Sequence, residues 1–266
     1  MSVRVYLQAV GMVGPGAGNW ENWRSLLQND ADYQIVPTVV PALNVLPPAE
    51  RRRTGAGVKL ALATGMEALQ NAGIDPSMMT TVFCSSGGDG ENCHLICEAL
   101  AGSDRMISPT RFHNSVHNAP SGYWGIAAGA MLPSTSLCAY DGGFAVGLLE
   151  SAVQCATEQR PVLYVVYDTP YPEPLHSTRP ILDQCSVAML LTPQAVTGQF
   201  GSLVLQLGDA PHTVMHQPEL EQVRLGIPAA RGLPLLQAVA QQRNTQVQLE
   251  YVNGRSLQVD FVPAAG

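Results

Sequence analysis

Residues 134–156 read STSLCAYDGGFAVGLLESAVQCA, and this stretch contains the two kinds of secondary structure that recur along the chain. Its first part, residues 134–139, is an uncharged run of strand length. Two glycines follow at a tight turn, and residues 142–156 then place apolar side chains at helical spacing. A strand, a glycine turn and an apolar helix in succession are typical of α/β proteins, in which such helices cover a central sheet.

The same alternation extends outward in both directions. Further strands are predicted at residues 3–10, 33–40, 80–84, 162–167, 186–191 and 203–207. Helices are predicted at residues 20–27 after an Asn19 cap, at residues 58–72 up to Gly73, and at residues 232–241. The glycine-rich loop 11–18 and the loop SSGGDGE (85–91) precede two of the helices. Near-continuous apolar strands predict a largely parallel sheet that helices cover on both faces.

The chain ends in a predicted β-hairpin. Residues 246–252 and 256–262 alternate apolar and polar side chains, and Asn253-Gly254 between them is a strong turn signal. The last fifty residues therefore predict an antiparallel addition to the main sheet. No low-complexity linker divides the sequence.

Composition excludes several classes of protein. The chain has 266 residues, of which 46% are hydrophobic and 13% charged, and its net charge is −7. So few charges and so much apolar material exclude a disordered chain, and the acidic balance argues against nucleic-acid binding. No stretch is long and apolar enough for a membrane span, and no secretory leader is recognised. We therefore expect a cytoplasmic protein.

The six cysteines are expected to be free thiols in a reducing compartment. Cys93 and Cys97 are predicted to lie on the buried face of one helix. No second ligand pair with zinc-like spacing is present. His113 and His117 have the spacing of helical metal ligands but no carboxylate beside them, so hydrogen-bonded structural roles are preferred. No metal and no cofactor are expected.

The glycine-rich loops do not indicate nucleotide binding. The loop at residues 11–18 follows a strand, but the next predicted strand ends without the acidic residue that holds a ribose. The loop SSGGDG lacks the Lys-Ser/Thr ending of a phosphate loop. Arg51, Arg52 and Arg53 begin a helix, and a solvated or ion-paired surface is the preferred interpretation over an anion site.

Cys138 is the thiol with the most functional interest. It ends a strand just before a helix, where a helix dipole lowers a thiol pKa and favours nucleophilic chemistry. A buried small residue that finishes a strand is the alternative.

Several segments together resemble the N-terminal part of the β-ketoacyl synthases, the thiolase-like condensing enzymes. They are RVYLQAVGMVGPGAGNWENWRSLL (4–27), ISPTRFHNSVHNAPSGYWGIAAG (107–129), STSLCAYDGGFAVGLLESA (134–152) and SVAMLLTP (186–193). The pattern RRR…VKLALATGMEAL with FHNSVHNAPSGYW is most similar to the short chain-length-factor proteins of aryl polyene clusters. The resemblance covers residues 1–195, the expected synthase-like domain. It implies a thiolase-like α/β/α fold truncated in its C-terminal half, with residues 196–266 packed on the same domain.

The departures from this family bear on activity. A condensing enzyme carries a cysteine at the turn before the central helix, but alignment places Ala139 there, or Asp141 when counted from Asn118. The family's later His-Gly-Thr motif, lysine and glycine-rich loop are absent from the sequence. Decarboxylative condensation requires a thiolate and donors for the developing enolate oxygen, so no catalytic residue is assigned.

The resemblance implies a non-catalytic subunit that pairs with a full-length ketosynthase and acts on acyl chains carried by an acyl carrier protein. In this family the strand at residues 134–139 pairs across the dimer, and the segment before it approaches the partner's acyl tunnel. The candidate tunnel and interface residues are Phe112, His117, Asn118, Tyr123, Trp124, Ser136 and Cys138. The aromatic candidates fit ordinary core positions equally well. An active acyltransferase or condensing enzyme that uses Cys138 is the alternative, and a stand-alone binding protein for an acyl carrier protein is a third hypothesis.

Overall fold

Eight strands of alternating or wholly apolar sequence form one mixed sheet in the order β3-β2-β4-β5-β1-β6-β8-β7. The computed structural model describes residues 2–42 and 44–264. The strands are β1 (Ser2–Val13), β2 (Thr80–Ser85), β3 (Ser134–Cys138), β4 (Val162–Asp168), β5 (Cys185–Thr192), β6 (Gly201–Gly208), β7 (Thr245–Glu250) and β8 (Ser256–Pro263). The helices are α1 (Trp20–Gln28), α2 (Pro48–Arg53), α3 (Ala56–Ala72), α4 (Gly90–Ala101), α5 (Pro109–His113), α6 (Ala119–Ala128), α7 (Gly143–Glu158), α8 (Leu175–Thr178), α9 (Pro218–Gly226) and α10 (Leu233–Ala240).

Helices cover both faces of the sheet, as the sequence predicts. Side chains of β4 alternate between two cores, with Tyr164 and Val166 in one and Leu163 and Val165 in the other. Helix α7 packs on the first face and α3 on the second. This confirms the layered α/β/α class. A Cβ atom on Gly147 would collide with Tyr164, so the glycine lets α7 approach β4 closely.

The prediction of a largely parallel sheet is wrong. Only the β3–β2 and β2–β4 pairings among the described strands are parallel, and the other five are antiparallel. Continuous apolar sequence reports burial on both faces, but it carries no information on strand direction. The terminal β7–β8 hairpin is confirmed, and Asn253 and Gly254 at its turn both have positive φ angles.

Two further predictions near the N-terminus are corrected. Strand β1 continues through Gly11, where the sequence predicts a loop. A Cβ atom at Gly11 would collide with the Thr64 carbonyl oxygen, so this glycine lets α3 approach the strand closely. Residues 33–40 form no strand. Thr38 instead donates its N–H to Asp183 Oδ2 (2.7 Å), and β1 already pairs with β5 and β6 on its two sides. No helix within the described residues has the length and apolar character needed to cross a membrane.

Candidate functional site

The chain between β3 and α7 makes a tight turn at the edge of the sheet where the parallel strands β3, β2 and β4 end. The N–H groups of Ala139 and Tyr140 donate to the carbonyl oxygens of Ser85 and Ser86 (3.2 and 3.1 Å), which ties the turn to the end of β2. Tyr140 has a φ of 51°, in the left-handed region that residues other than glycine rarely adopt. Because α/β proteins place ligands at this edge of their parallel strands, the turn is the candidate site.

Charged side chains from distant parts of the sequence close over this turn. The guanidinium carbon of Arg179 lies 3.4 Å from the centroid of the Tyr140 ring, and Arg179 Nη2 lies 3.0 Å from Asp141 Oδ1. Arg231 Nη2 lies 3.9 Å from the same oxygen, and Arg231 Nη1 lies 3.0 Å from Glu250 Oε2. No sequence motif links the two arginines and the glutamate to the turn, so these residues were not predicted.

The residues predicted for the nucleophile position flank the apex of the turn. Ala139 carries no reactive group, and the Asp141 carboxylate is engaged by Arg179. Tyr140, which lies between them, has the positive φ angle. The described turn therefore presents a tyrosine and an ion pair.

Cys138 lies exposed at the end of β3, next to this turn. Its Sγ is 3.5 Å from Ser85 Oγ, which accepts a hydrogen bond from the N–H of Gly88 (2.9 Å). Among residues 2–42 and 44–264, no histidine or lysine side chain hydrogen-bonds to this thiol. A cysteine nucleophile needs a neighbouring base or cation for activation, and these contacts provide neither.

The other thiols divide into buried and exposed groups. Burial raises the pKa of Cys84 and of Cys155 to about 12, and it also raises the pKa of Cys185, so these thiols stay protonated at neutral pH. Cys93 and Cys97 on α4 are exposed, so the prediction that they belong to the core is wrong. Helix α4 lies outside both core clusters.

A buried carboxyl group, Asp168, ends β4 beside the site. Its Oδ1 accepts a hydrogen bond from the Ser86 N–H (2.8 Å). Burial raises the pKa of Asp168 to about 6, although the hydrogen bonds from Ser86 act in the opposite direction. The protonated form is therefore favoured in the folded chain relative to the unfolded chain.

This shift predicts a pH dependence of stability. Between about pH 4 and pH 6 the unfolded chain releases the Asp168 proton while the folded chain keeps it, so the free energy of unfolding falls as pH rises. A shift of this size corresponds to about 2–3 kcal/mol. Urea unfolding at pH 4.5 and pH 7.5 is expected to show a smaller decrease for Asp168→Asn than for the unmodified chain. Equal decreases in the two proteins would contradict the assignment.

The outer side of β3 forms the free edge of the described sheet. Beside it lies a hollow of about 560 Å³, and the sequence-predicted residues His117, Asn118 and Ser136 meet there. Ser134 and Val116 also line the hollow. The structure thus brings three of the predicted interface residues together at one sheet edge.

The three aromatic candidates occupy different environments. Tyr123 and Trp124 are buried, and Trp124 packs against Phe83 with ring centroids 6.1 Å apart. The Tyr123 hydroxyl donates to Asn114 Oδ1 (3.1 Å). Phe112 on α5 is 68% exposed. Burial favours a core role for Tyr123 and Trp124, which leaves Phe112 as the aromatic candidate that reaches the surface.

Exposed apolar side chains are concentrated in sequence around the edge strand. Met131 is 94% exposed and Tyr140 is 60% exposed. The other members of this group are Phe112, Val116, Ile126, Leu132 and Val153. Several of these residues directly precede or follow β3 in sequence, so exposed apolar side chains flank the edge strand.

The two histidines with helical spacing do not share a helix. Helix α5 ends at His113, and His117 lies in the following irregular segment. Both side chains are exposed, and neither makes a hydrogen bond to a described residue, so the preferred hydrogen-bonded roles are not observed. Within the described part of the chain, no group of three or more metal-ligating side chains converges.

A family model described as β-ketoacyl synthase, N-terminal domain, matches residues 20–253 of the chain. No curated protein matches its sequence. Similar solved structures are found at low sequence identity. A complex of a ketosynthase (ApeO) with its chain length factor (ApeC) from Xenorhabdus doucetiae contains a chain 22% identical, with a TM-score of 0.75, and the match covers 97% of this chain and 99% of that one.

Two further structures have the same fold. A chain of the complex AntDE:AntF, a type II polyketide synthase acyl-carrier protein with its hexaketide-bound ketosynthase, is 12% identical with a TM-score of 0.77, covering 99% of this chain and 100% of that one. A β-ketoacyl synthase from Burkholderia phymatum is 10% identical with a TM-score of 0.60, and the match covers 91% of this chain but 71% of that longer one. The thiolase-like fold, truncated relative to this synthase, is confirmed.

Proposed function

Because the chain belongs to the β-ketoacyl synthase N-terminal domain family, we propose that it is a non-catalytic, chain-length-factor-like subunit. Its partner is a full-length β-ketoacyl-ACP synthase in aryl polyene or polyketide-type fatty acid synthesis. The observation that carries the proposal is the free edge strand β3, which is bordered by exposed apolar side chains. The chain length factor in the ApeO–ApeC complex provides a precedent for a subunit of this fold.

The edge strand is suited to pairing with a second chain. Strand β3 hydrogen-bonds to β2 on one side, and its other side faces no described strand. An unpaired strand edge is a template for pairing, and proteins that stay monomeric protect such edges with charges or proline. The sequence of β3, STSLC, has neither. A partner strand that pairs here continues the sheet across both subunits and covers Met131 and Leu132 nearby.

The chemistry of the turn supports a non-catalytic role. Condensation requires a thiolate to hold the acyl chain and donors for the enolate oxygen. Cys138 contacts Ser85 and no described base, while the Arg179–Asp141 ion pair lies over the turn. In this proposal the partner subunit provides the nucleophile and its supporting residues, and the acyl carrier protein delivers acyl chains to the complex.

The second candidate function is an acyltransferase or condensing enzyme that uses Cys138. The observation that favours it is the exposure of this thiol at the carboxyl end of β3, just before α7. The two functions give opposite results for one substitution.

Cys138→Ala is expected to leave the condensing rate of the complex within about twofold of the unmodified rate, because the partner provides the nucleophile and alanine keeps the backbone groups of β3 available for pairing. Cys93→Ala, which also removes an exposed thiol, is the matched control. The measurement is the rate of carrier-protein-bound product formation by the purified complex. A loss of a hundredfold or more in the Cys138 variant alone would establish the second function.

Six free thiols fit the reducing cytoplasm, which is the compartment that we propose.

A further inference from the structure

A cavity of about 960 Å³ lies between the end of α2, the start of α3 and the segment α4–α5, and it shares no lining residue with the hollow beside β3. The arginine run that the sequence places at the start of a helix thus ends one. Five cationic side chains line it, although the whole chain contains only 14 lysines and arginines. They are Arg51, Arg52, Arg53, Lys59 and Arg111. Arg52 and Arg53 are exposed and Arg53 pairs with Glu50, in agreement with the interpretation of the arginine run as a solvated or ion-paired surface, and the same run also borders this concave space.

Three of these five cations form no ion pair within the part of the chain that the structure describes. Arg53 pairs with Glu50 (3.1 Å), and Arg51 donates to Asn44. Arg52, Lys59 and Arg111 make no ion pair with any residue that the structure describes. Two carboxylates, Asp89 and Glu91, also line the cavity, so the cations outnumber the acids there.

Buried amide side chains fix the backbone of the cationic walls. Asn92 Nδ2 donates to the carbonyl oxygen of Arg111 (2.8 Å), and Asn114 Nδ2 donates to that of Arg53 (2.7 Å). The Tyr123 hydroxyl in turn donates to Asn114 Oδ1. Both asparagines are buried. The cationic residues therefore start from fixed positions, and less ordering is required when an anion binds.

We propose that this cavity binds a small molecule that carries a phosphate group. A phosphate monoester has close to two negative charges at neutral pH and several acceptor oxygens, which suits cations that converge from α2, α3 and α5. Guanidinium groups match its geometry in particular. The volume exceeds what a phosphate group fills and lies within the range of about 300–1,000 Å³ of ligand pockets.

The walls also indicate an organic group on the phosphate. Val40, Pro41 and Leu95 contribute apolar surface to the same cavity. A phosphate ester with a short alkyl chain is therefore expected to bind more tightly than inorganic phosphate. The concave shape favours a small ligand over an acidic protein, which needs a broad and flat contact area.

The test measures the thermal unfolding of the purified chain, or of its complex with the partner where the two are produced together. The melting temperature is recorded at increasing concentrations of butyl phosphate, inorganic phosphate or potassium chloride, at matched ionic strength. A ligand that binds the folded state raises the melting temperature by an amount set by its concentration relative to Kd, so the concentration dependence gives the Kd. Lys59→Gln and Arg111→Gln are each expected to raise the Kd for butyl phosphate at least fivefold. Arg243→Gln, which removes an exposed arginine remote in sequence, is the matched control and should change nothing.

The expected order of affinity is butyl phosphate, then inorganic phosphate, with no effect of chloride at matched ionic strength. Equal effects of phosphate and chloride would overturn the site, because screening of surface charge would explain both. Equal Kd values in the unmodified chain and the Lys59 and Arg111 variants would also overturn it. Equal affinity for the two phosphates would overturn the assignment of an organic ester. Binding of an acidic carrier protein without any phosphate effect would replace the small-molecule proposal.

Discussion

Replacing Ser136 by proline is expected to abolish pairing with a ketosynthase subunit while the chain itself still folds. The reason lies in the direction of the backbone groups of β3. Thr81 N–H donates to the Pro133 carbonyl, and Ala139 N–H donates to the Ser85 carbonyl, so odd-numbered residues of this segment face β2. Because successive residues of a strand point their backbone groups to opposite sides, Ser136 directs its N–H toward the free edge.

Proline at this position therefore removes a donor that the chain does not use internally. Edge strands tolerate proline when the missing N–H faces outward. A partner strand loses that hydrogen bond and meets the proline ring, so we expect affinity to fall by on the order of 100-fold or more. Ser136→Ala keeps the N–H and is the matched control.

The measurement is co-purification of the two subunits with a tag on this chain, accompanied by circular dichroism of the isolated variants. The account predicts a folded Ser136→Pro chain without partner and a normal complex for Ser136→Ala. Recovery of a stable complex with the proline variant would show that β3 does not form the interface.

Replacing Phe112 by alanine is expected to lengthen the products of the complex by at least one extension unit. Phe112 is the exposed aromatic residue of the segment that precedes β3, and it lies on the short helix α5. In the proposed complex this side chain enters the partner's acyl tunnel and limits its depth. Its removal frees volume that a longer acyl chain fills, and burial of each added methylene contributes about 0.8 kcal/mol.

The matched control is Met106→Ala, which removes another exposed apolar side chain from the chain between α4 and α5. Mass spectrometry of carrier-protein-bound products reports the chain length for each variant. Longer products with the Phe112 variant alone are the expected result. An unchanged distribution in a complex of normal yield would remove Phe112 from the gate, whereas loss of the complex would assign it to the interface only.

Local sequence signals predicted much of the fold because they reflect local physics. The Asn19 cap, the glycine that ends α3 and the Asn253-Gly254 turn each act within a few residues. The strand predicted at residues 33–40 is absent because an apolar, β-branched run forms a strand only where a free strand edge is available, and β1 is already paired on both sides. The loop predicted at Gly11 is also absent, since this glycine allows α3 to pack closely on the strand and does not turn the chain.

The candidate site could be located from the sequence only in part. The turn after β3 was found because strand, glycines and helix are adjacent in the chain. The arginines that pair with Asp141 at this turn were not found, since Arg179 and Arg231 are far from it in sequence. The cavity beside α3 was missed for the same reason, because Arg111 joins Arg52 and Lys59 only after folding.

The most direct test of the proposed function is to purify the tagged chain from cells that produce it, identify the proteins bound to it and weigh the complex by native mass spectrometry. The account predicts one longer ketosynthase subunit for each copy of this chain, with the nucleophilic cysteine on the ketosynthase. Recovery of this chain alone or as a self-paired dimer, with condensing activity that depends on Cys138, would contradict it.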